Sequence, residues 1–346
     1  MPHTPAVSLK RGRSMSPSVL PETVVPLKRR RHSTVPLESR VEPADVFRRS
    51  DEFWLDDGNI LLQAEDLRFK VHRSVIMMHS SFLKNAIVRL KIKPNDPRPI
   101  RLERTAKEVE HMIRAIYCTG SYFNRRQPMT VEALSALLRT GTAYDIPVLH
   151  REAVQRLQLS FPSHLAGFDR ALAEKTASTL IVPYRGFFFD LINLAHEAKV
   201  PSVLPALYYL GCKKLNGLLY GYPRPDGTVA RLLPALLPAA IAGRAAFLRT
   251  QAARSFTWLF DTYDDIPDCV EDFCADSRRE VLRRILPAIP DTVMGLSRWV
   301  MPPAPLCDEC VRRAKEVHEG ERQKLWEQLP TLLGMAPWDR LREQEN

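Results

Sequence analysis

Residues 56–87, DDGNILLQAEDLRFKVHRSVIMMHSSFLKNAI, permit few folds. Ile60 and Leu62 lie on one side of an extended run with Leu61 and Gln63 on the other, and Phe69 and Val71 repeat that period of two after Glu65-Asp66. The pattern predicts a strand, a tight turn and a second strand ended by His72. The period then lengthens. Val75, Ile76 and Met78 form a short helical face, and Ser80-Ser81 caps a further turn carrying Phe82, Leu83, Ala86 and Ile87.

Residues 91–98 form a charged, Pro-punctuated connection to a third strand, Pro99-Ile100-Arg101-Leu102. Thr105 and Glu108 make a capping box, and Val109, Met112, Ile113, Ile116 and Tyr117 follow on one helical face. That helix must pack on the sheet. From Thr130, Leu134, Leu137, Leu138 and Tyr144 continue an apolar face as far as Ile146-Pro147, where Pro147 suits the first turn of another helix bearing Leu149, Ala153 and Leu157. A helical hairpin therefore closes the first domain near Pro162.

A hairpin running into two short helices, with His72 at the junction and Ser80-Ser81-Phe82 opening the second helix, resembles the start of the BTB/POZ domain. Pro99-Ile100-Arg101-Leu102 is similar to the family's third strand and residues 104–117 to the helix after it, with Cys118-Thr119-Gly120 in the place of its "tyrosine, x, glycine" end. Phe53-Trp54-Leu55-Asp56-Asp57-Gly58-Asn59 and Leu332-Leu333-Gly334-Met335-Ala336-Pro337-Trp338 resemble more narrowly the BTB proteins abundant in mushroom-forming (basidiomycete) fungi. The resemblance implies an α+β fold, with a BTB/POZ domain over residues 50–162 followed by a mostly α-helical region over 163–346. It implies a non-enzymatic protein-binding role: such domains pair with themselves or with partners through the amino-terminal face, and some recruit a cullin-type ubiquitin ligase while a second domain presents the substrate. Phe53, Trp54 and Leu55 then either finish the local core or form an interface edge. The His matching His72 is structural in the family.

Residues 1–49 are rich in Pro, Ser and Arg without apolar periodicity, which predicts a disordered basic arm. Residues 1–50 hold ten Lys/Arg and four Asp/Glu, a net of +6 out of the chain's +10. Lys10, Arg11 and Arg13 are separated by 14 residues from Lys28, Arg29, Arg30 and Arg31, the spacing of a two-part nuclear import signal. The same clusters also fit a solvated tail or non-specific attraction to phosphates. Nuclear localisation is expected, otherwise cytoplasmic, and no membrane association, because nothing approaches a run of 18 apolar residues.

Beyond Pro162 no strand alternation is evident. Helices are expected over residues 187–198, from Val200-Pro201 through Leu210, over 232–248 with interruptions near Pro234 and Pro238, and over 307–329 until Pro330. The segment with Trp338 is expected to fold back and bury its ring. The six cysteines, with no apolar signal segment before them, fit free or metal-bound thiols. Cys269 and Cys274 with Cys307 and Cys310 have the look of a tetrahedral structural zinc site, with His318 as a substitute ligand; the 32-residue gap equally fits packing cysteines at a helix start. Arg278-Arg279 and Arg283-Arg284 read as solvated helix faces. Asp56-Asp57 has no partnered acid, and no phosphate-cradling Gly loop, Gly-x-Ser-x-Gly or His-Glu-x-x-His is present, so no enzyme is expected. Two roles remain: an interaction adaptor, as homodimer or with a cullin, and a nuclear transcription or chromatin regulator that combines BTB oligomerisation with the basic arm.

Overall fold

The hairpin forms where the alternation places it, with β2 (Ile60–Ala64) antiparallel to β3 (Leu67–Val71) and Leu62 opposite Phe69. The computed structural model describes residues 47–261, 265–266, 268–269, 271–285, 292–302 and 304–344. Before the hairpin, β1 (Arg48–Trp54) pairs parallel to β3, and after it β4 (Ile100–Arg101) pairs parallel to β2, giving the order β1-β3-β2-β4. The sequence reading misses β1. Its pairing shifts register between Arg49 and Trp54, so its buried positions, Ser50 and Phe53, do not alternate.

Between the strands of the hairpin, Glu65 adopts φ 51°. Its carboxylate accepts from the N–H of Ala106 at 3.0 Å, so the turn side chain satisfies a free donor at the start of α3 (Ala106–Tyr117). The Thr105–Glu108 capping box is present there too. α1 (Arg73–His79) and α2 (Ser81–Arg89), with Ser80 accepting from the Leu83 N–H, lie between β3 and β4. Their inner faces differ from the expectation: Ile76, Leu83, Ala86 and Ile87 are buried, but Met78 is 74% and Phe82 48% exposed, and half-buried Met77 packs on the core instead. Seven residues of helix cannot turn both Ile76 and Met78 inward.

His72 caps α1. Its backbone N–H donates to the Tyr117 hydroxyl at 2.8 Å, its Nδ1 is 3.0 Å from the same hydroxyl, and its Nε2 is 3.0 Å from Asp57 Oδ2. These contacts join the hairpin to the end of α3, as a junction residue should. A short α4 (Thr119–Tyr122) leads to α5 (Val131–Ala143) and α6 (Pro147–Ser160), whose buried Leu134, Leu137, Leu138, Leu149, Ala153 and Leu157 close the hairpin of helices.

The chain continues through α7 (Leu165–Ala173), α8 (Thr176–Leu180), α9 (Phe187–Glu197), a 3-10 turn (Pro201–Val203), α10 (Leu204–Gly211) and α11 (Leu215–Tyr220). Where no strand was expected, β5 (Tyr222–Pro223) and β6 (Val229–Ala230) form a small hairpin, made possible by left-handed backbone at Gly221 and Gly227. α12 (Leu237–Arg254) starts with Pro238 in its first turn, and a 3-10 turn (Thr257–Phe260), α13 (Phe273–Ile285), α14 (Asp308–Leu332) and α15 (Trp338–Glu343) follow. Pro330 does not end α14, which runs to Leu332.

One hydrophobic core, running from Phe53 to Leu341, joins these helices to the sheet. Met129 bridges Ile181, and the wholly buried Arg156 on α6 pairs with Glu152 at 2.9 Å and donates to the Leu180 carbonyl at 3.1 Å. Farther on, Arg322 on α14 reaches Asp169 on α7 at 2.6 Å, and Trp338 stacks on Trp326 with centroids 5.0 Å apart while donating its indole N–H to the Trp326 carbonyl. The fold-back expected of Trp338 is thus formed. Two small satellite clusters stand apart from this core: Phe256, Trp258, Leu259, Val281 and Ala314, and Ile266, Cys274 and Cys310.

The turn into β2 depends on Gly58, where a Cβ would lie 2.9 Å from the backbone of Lys70. Gly58→Ala should therefore destabilise by about 1–3 kcal/mol, read as a lower thermal unfolding midpoint. An unchanged midpoint would mean that the turn yields freely.

Candidate functional site

The cysteines of the second satellite come from one turn and two helix starts. Cys269 follows a turn in which its N–H donates to the Ile266 carbonyl, Cys274 lies at the start of α13, and Cys307 and Cys310 lie at the start of α14. The 32-residue gap between pairs is spanned by α13 and the chain after it, which return Cys307 to the beginning of α13. All four Sγ atoms lie within 4.8 Å of one another, with Cys307 at 3.9 Å and Cys310 at 3.3 Å from Cys269. Tetrahedral ligands at about 2.3 Å from a zinc ion are about 3.8 Å apart, so the cluster has the size of a single-ion site. Cys274 and Cys310 are buried, Cys269 and Cys307 partly so, and no disulfide joins any of the cysteines. The arrangement is compatible with a zinc site.

The surroundings supply positive potential. Cys307 is the N-cap of a 25-residue helix, where the macrodipole favours anions, and its backbone N–H donates to Cys274 Sγ at 3.2 Å. Burial pushes the Cys274 and Cys310 thiols up. At Cys307 burial acts the same way, but the Cys310 N–H and the neighbouring thiols outweigh it and hold that thiol below its ordinary value. Burial thus favours the neutral form at Cys274 and Cys310.

His318 does not join the cluster. Its Nε2 is 2.9 Å from the Ser297 carbonyl and its ring lies between Phe256 and Trp299, so it belongs to the first satellite. Arg278 departs from the solvated face expected of it: it is 3% exposed, with Nη1 3.4 Å from Cys310 Sγ. Arg279, Arg283 and Arg284 do face solvent, paired with Asp276 or Glu280. No sequence signal singled out Arg278 except its place four residues after Cys274, one helical turn on.

At the other end of the chain, Phe53 is a core residue, its ring 6.3 Å from Tyr117. Trp54 and Leu55 are half-buried, and the Arg49 guanidinium lies 4.7 Å over the Trp54 ring. The largest apolar exposure nearby is on α1 and α2: Met78, Phe82, Val88 (61%) and Leu90 (48%). Lys10, Arg11, Arg13, Lys28, Arg29, Arg30 and Arg31 lie outside the described residues. No described helix is long and apolar enough to cross a membrane.

A four-stranded sheet is held between short helices, two of which leave apolar side chains outward. Residues 51–160 match the BTB/POZ domain family, a protein–protein interaction module, within a chain of α+β class. No curated protein and no solved structure matches the chain.

If a metal unites the cysteines, chelation should loosen the region of the satellites first. Elemental analysis of protein purified without chelator should give about one zinc per chain, lost in Cys307→Ser. Metal-free protein with unchanged stability would leave the cysteines as packing groups.

Proposed function

We propose that this protein is a non-enzymatic adaptor that self-associates through the amino-terminal face of its BTB/POZ domain and links a second protein to a cullin-type ubiquitin ligase. The observation that carries this reading is the outward Met78 and Phe82 on α1 and α2. Residues 50–162 serve as the interaction module and residues 163–346 as the partner-specific part, steadied by a structural zinc ion on Cys269, Cys274, Cys307 and Cys310. The continuous core makes the two parts move together, so a bound partner is held in a fixed direction relative to the ligase.

The tagged full-length chain should be compared with Met78→Glu/Phe82→Glu in its own cells by mass spectrometry, and in vitro by light scattering. Each buried apolar side chain is worth about 1.5–3 kcal/mol, counted twice at a two-fold interface. The double variant should therefore be a folded monomer with an unchanged circular dichroism spectrum. A cullin recovered with the unmodified chain supports the adaptor role, and a monomeric unmodified protein rejects self-association.

A second reading rests on the +6 charge of residues 1–50: a nuclear regulator that uses BTB oligomerisation to gather basic arms on chromatin. Replacing Lys28, Arg29, Arg30 and Arg31 by Ala should move a fluorescent fusion from nucleus to cytoplasm. Chromatin proteins recovered without a cullin would favour this role, whereas an unchanged nuclear signal would reject the import function of the arm.

A further inference from the structure

Arg278 is buried and makes no ion pair with a carboxylate among the described residues, although its charge acts on the Asp261 carboxyl. Its Nη2 donates to the Asp261 backbone carbonyl at 2.9 Å, and its Nη1 points at Cys310 Sγ, 3.4 Å away. A guanidinium keeps its charge at any physiological pH, and an uncompensated buried charge costs several kcal/mol. A neutral thiol and one carbonyl compensate it poorly. The Asp261 carboxylate lies 3.9 Å from Arg313, and Glu309 pairs with Arg312 at 2.9 Å. Asp308, in the first turn of α14, adds negative charge on the far side of the N-cap. What would balance Arg278 is the cysteine cluster itself, once ionised. Four thiolates around one divalent cation leave roughly two negative charges on the site.

We infer that Arg278 is the positioning and charge-balancing partner of a Zn(Cys)4 centre, donating an N–H···S hydrogen bond to the Cys310 thiolate while the amino end of α14 does the same for Cys274 through the Cys307 N–H. The inference rests on the zinc reading above and adds to it what makes the site able to hold its charge inside the protein. Two donors from different elements aim at two different sulfurs, and both lie on the buried side, where water cannot solvate a thiolate. The geometry also explains why α13 presents Arg278 inward: one turn after Cys274, its side chain runs along the same helix face as that ligand. Arg279, one residue on, faces solvent and pairs with Asp276.

The test uses the purified full-length protein, with zinc affinity measured by competition against a chromophoric chelator and cobalt(II) as a spectroscopic substitute. Arg278→Met, which keeps length and loses charge and donor, should bind one zinc at saturation about 10- to 100-fold more weakly. Its thiolate-to-cobalt charge-transfer band should move to longer wavelength, because removing a hydrogen bond raises the sulfur lone pair. Arg278→Lys should recover part of the affinity. If Arg278→Met fails to fold, Arg278→Gln, which keeps a donor without the charge, should still bind more weakly than the unmodified protein. Unchanged affinity and an unchanged cobalt band in whichever of these variants folds would make Arg278 a packing residue and overturn the inference. An unmodified protein that takes up neither zinc nor cobalt would instead overturn the zinc reading.

Discussion

A single buried guanidinium decides how the two halves of this chain relate. Arg156, wholly enclosed on α6, reaches forward to the Leu180 carbonyl and stays neutralised by Glu152 one turn behind it. Removing a charged group from water is costly unless its hydrogen bonds are met, so the segment that supplies those bonds is held in place by the same term. With it come Met129 and Ile181, bridged backbone to backbone, and then the aromatic core of α7, α9 and α14. The helical region is a continuation of the BTB/POZ fold's core more than an appendage to it.

That continuity limits how the protein can work. One core joins the sheet to the helices that follow it, so no hinge within that core separates them. Only the satellites around Phe256 and Cys274 stand outside the main core. A region with so few buried apolar side chains gains little from the hydrophobic effect, which is the situation in which a metal contributes most to order.

Much of the sheet and of its covering helices is legible in sequence, because the alternation of Ile60, Leu62, Phe69 and Val71 and the capping box at Thr105 are local signals that the tertiary structure does not oppose. β1 is not legible, since its partner is parallel and its register shifts, leaving Ser50 and Phe53 buried without a period. Met78 and Phe82 mislead for the reverse reason: apolar residues on a short helix read as core unless the far side is known to be open. Among the site residues, the cysteine pairs are visible by spacing, but the gap between them is only explained by α13 folding back. His318 fits the ligand pattern by type and is excluded by position. Arg278 reads as one of several arginines on a polar helix, and only the fold reveals that it alone turns to the thiols.

The docking of α15 ties α14 to the start of α7. Trp338 and Leu341 complete a layer against Trp326, and Arg342 donates to the Ser163 carbonyl, where α7 begins. Without those residues the Trp326 and Phe168 rings, 4.9 Å apart, would be open on one side. A helix of six residues thus closes the seam between two longer ones.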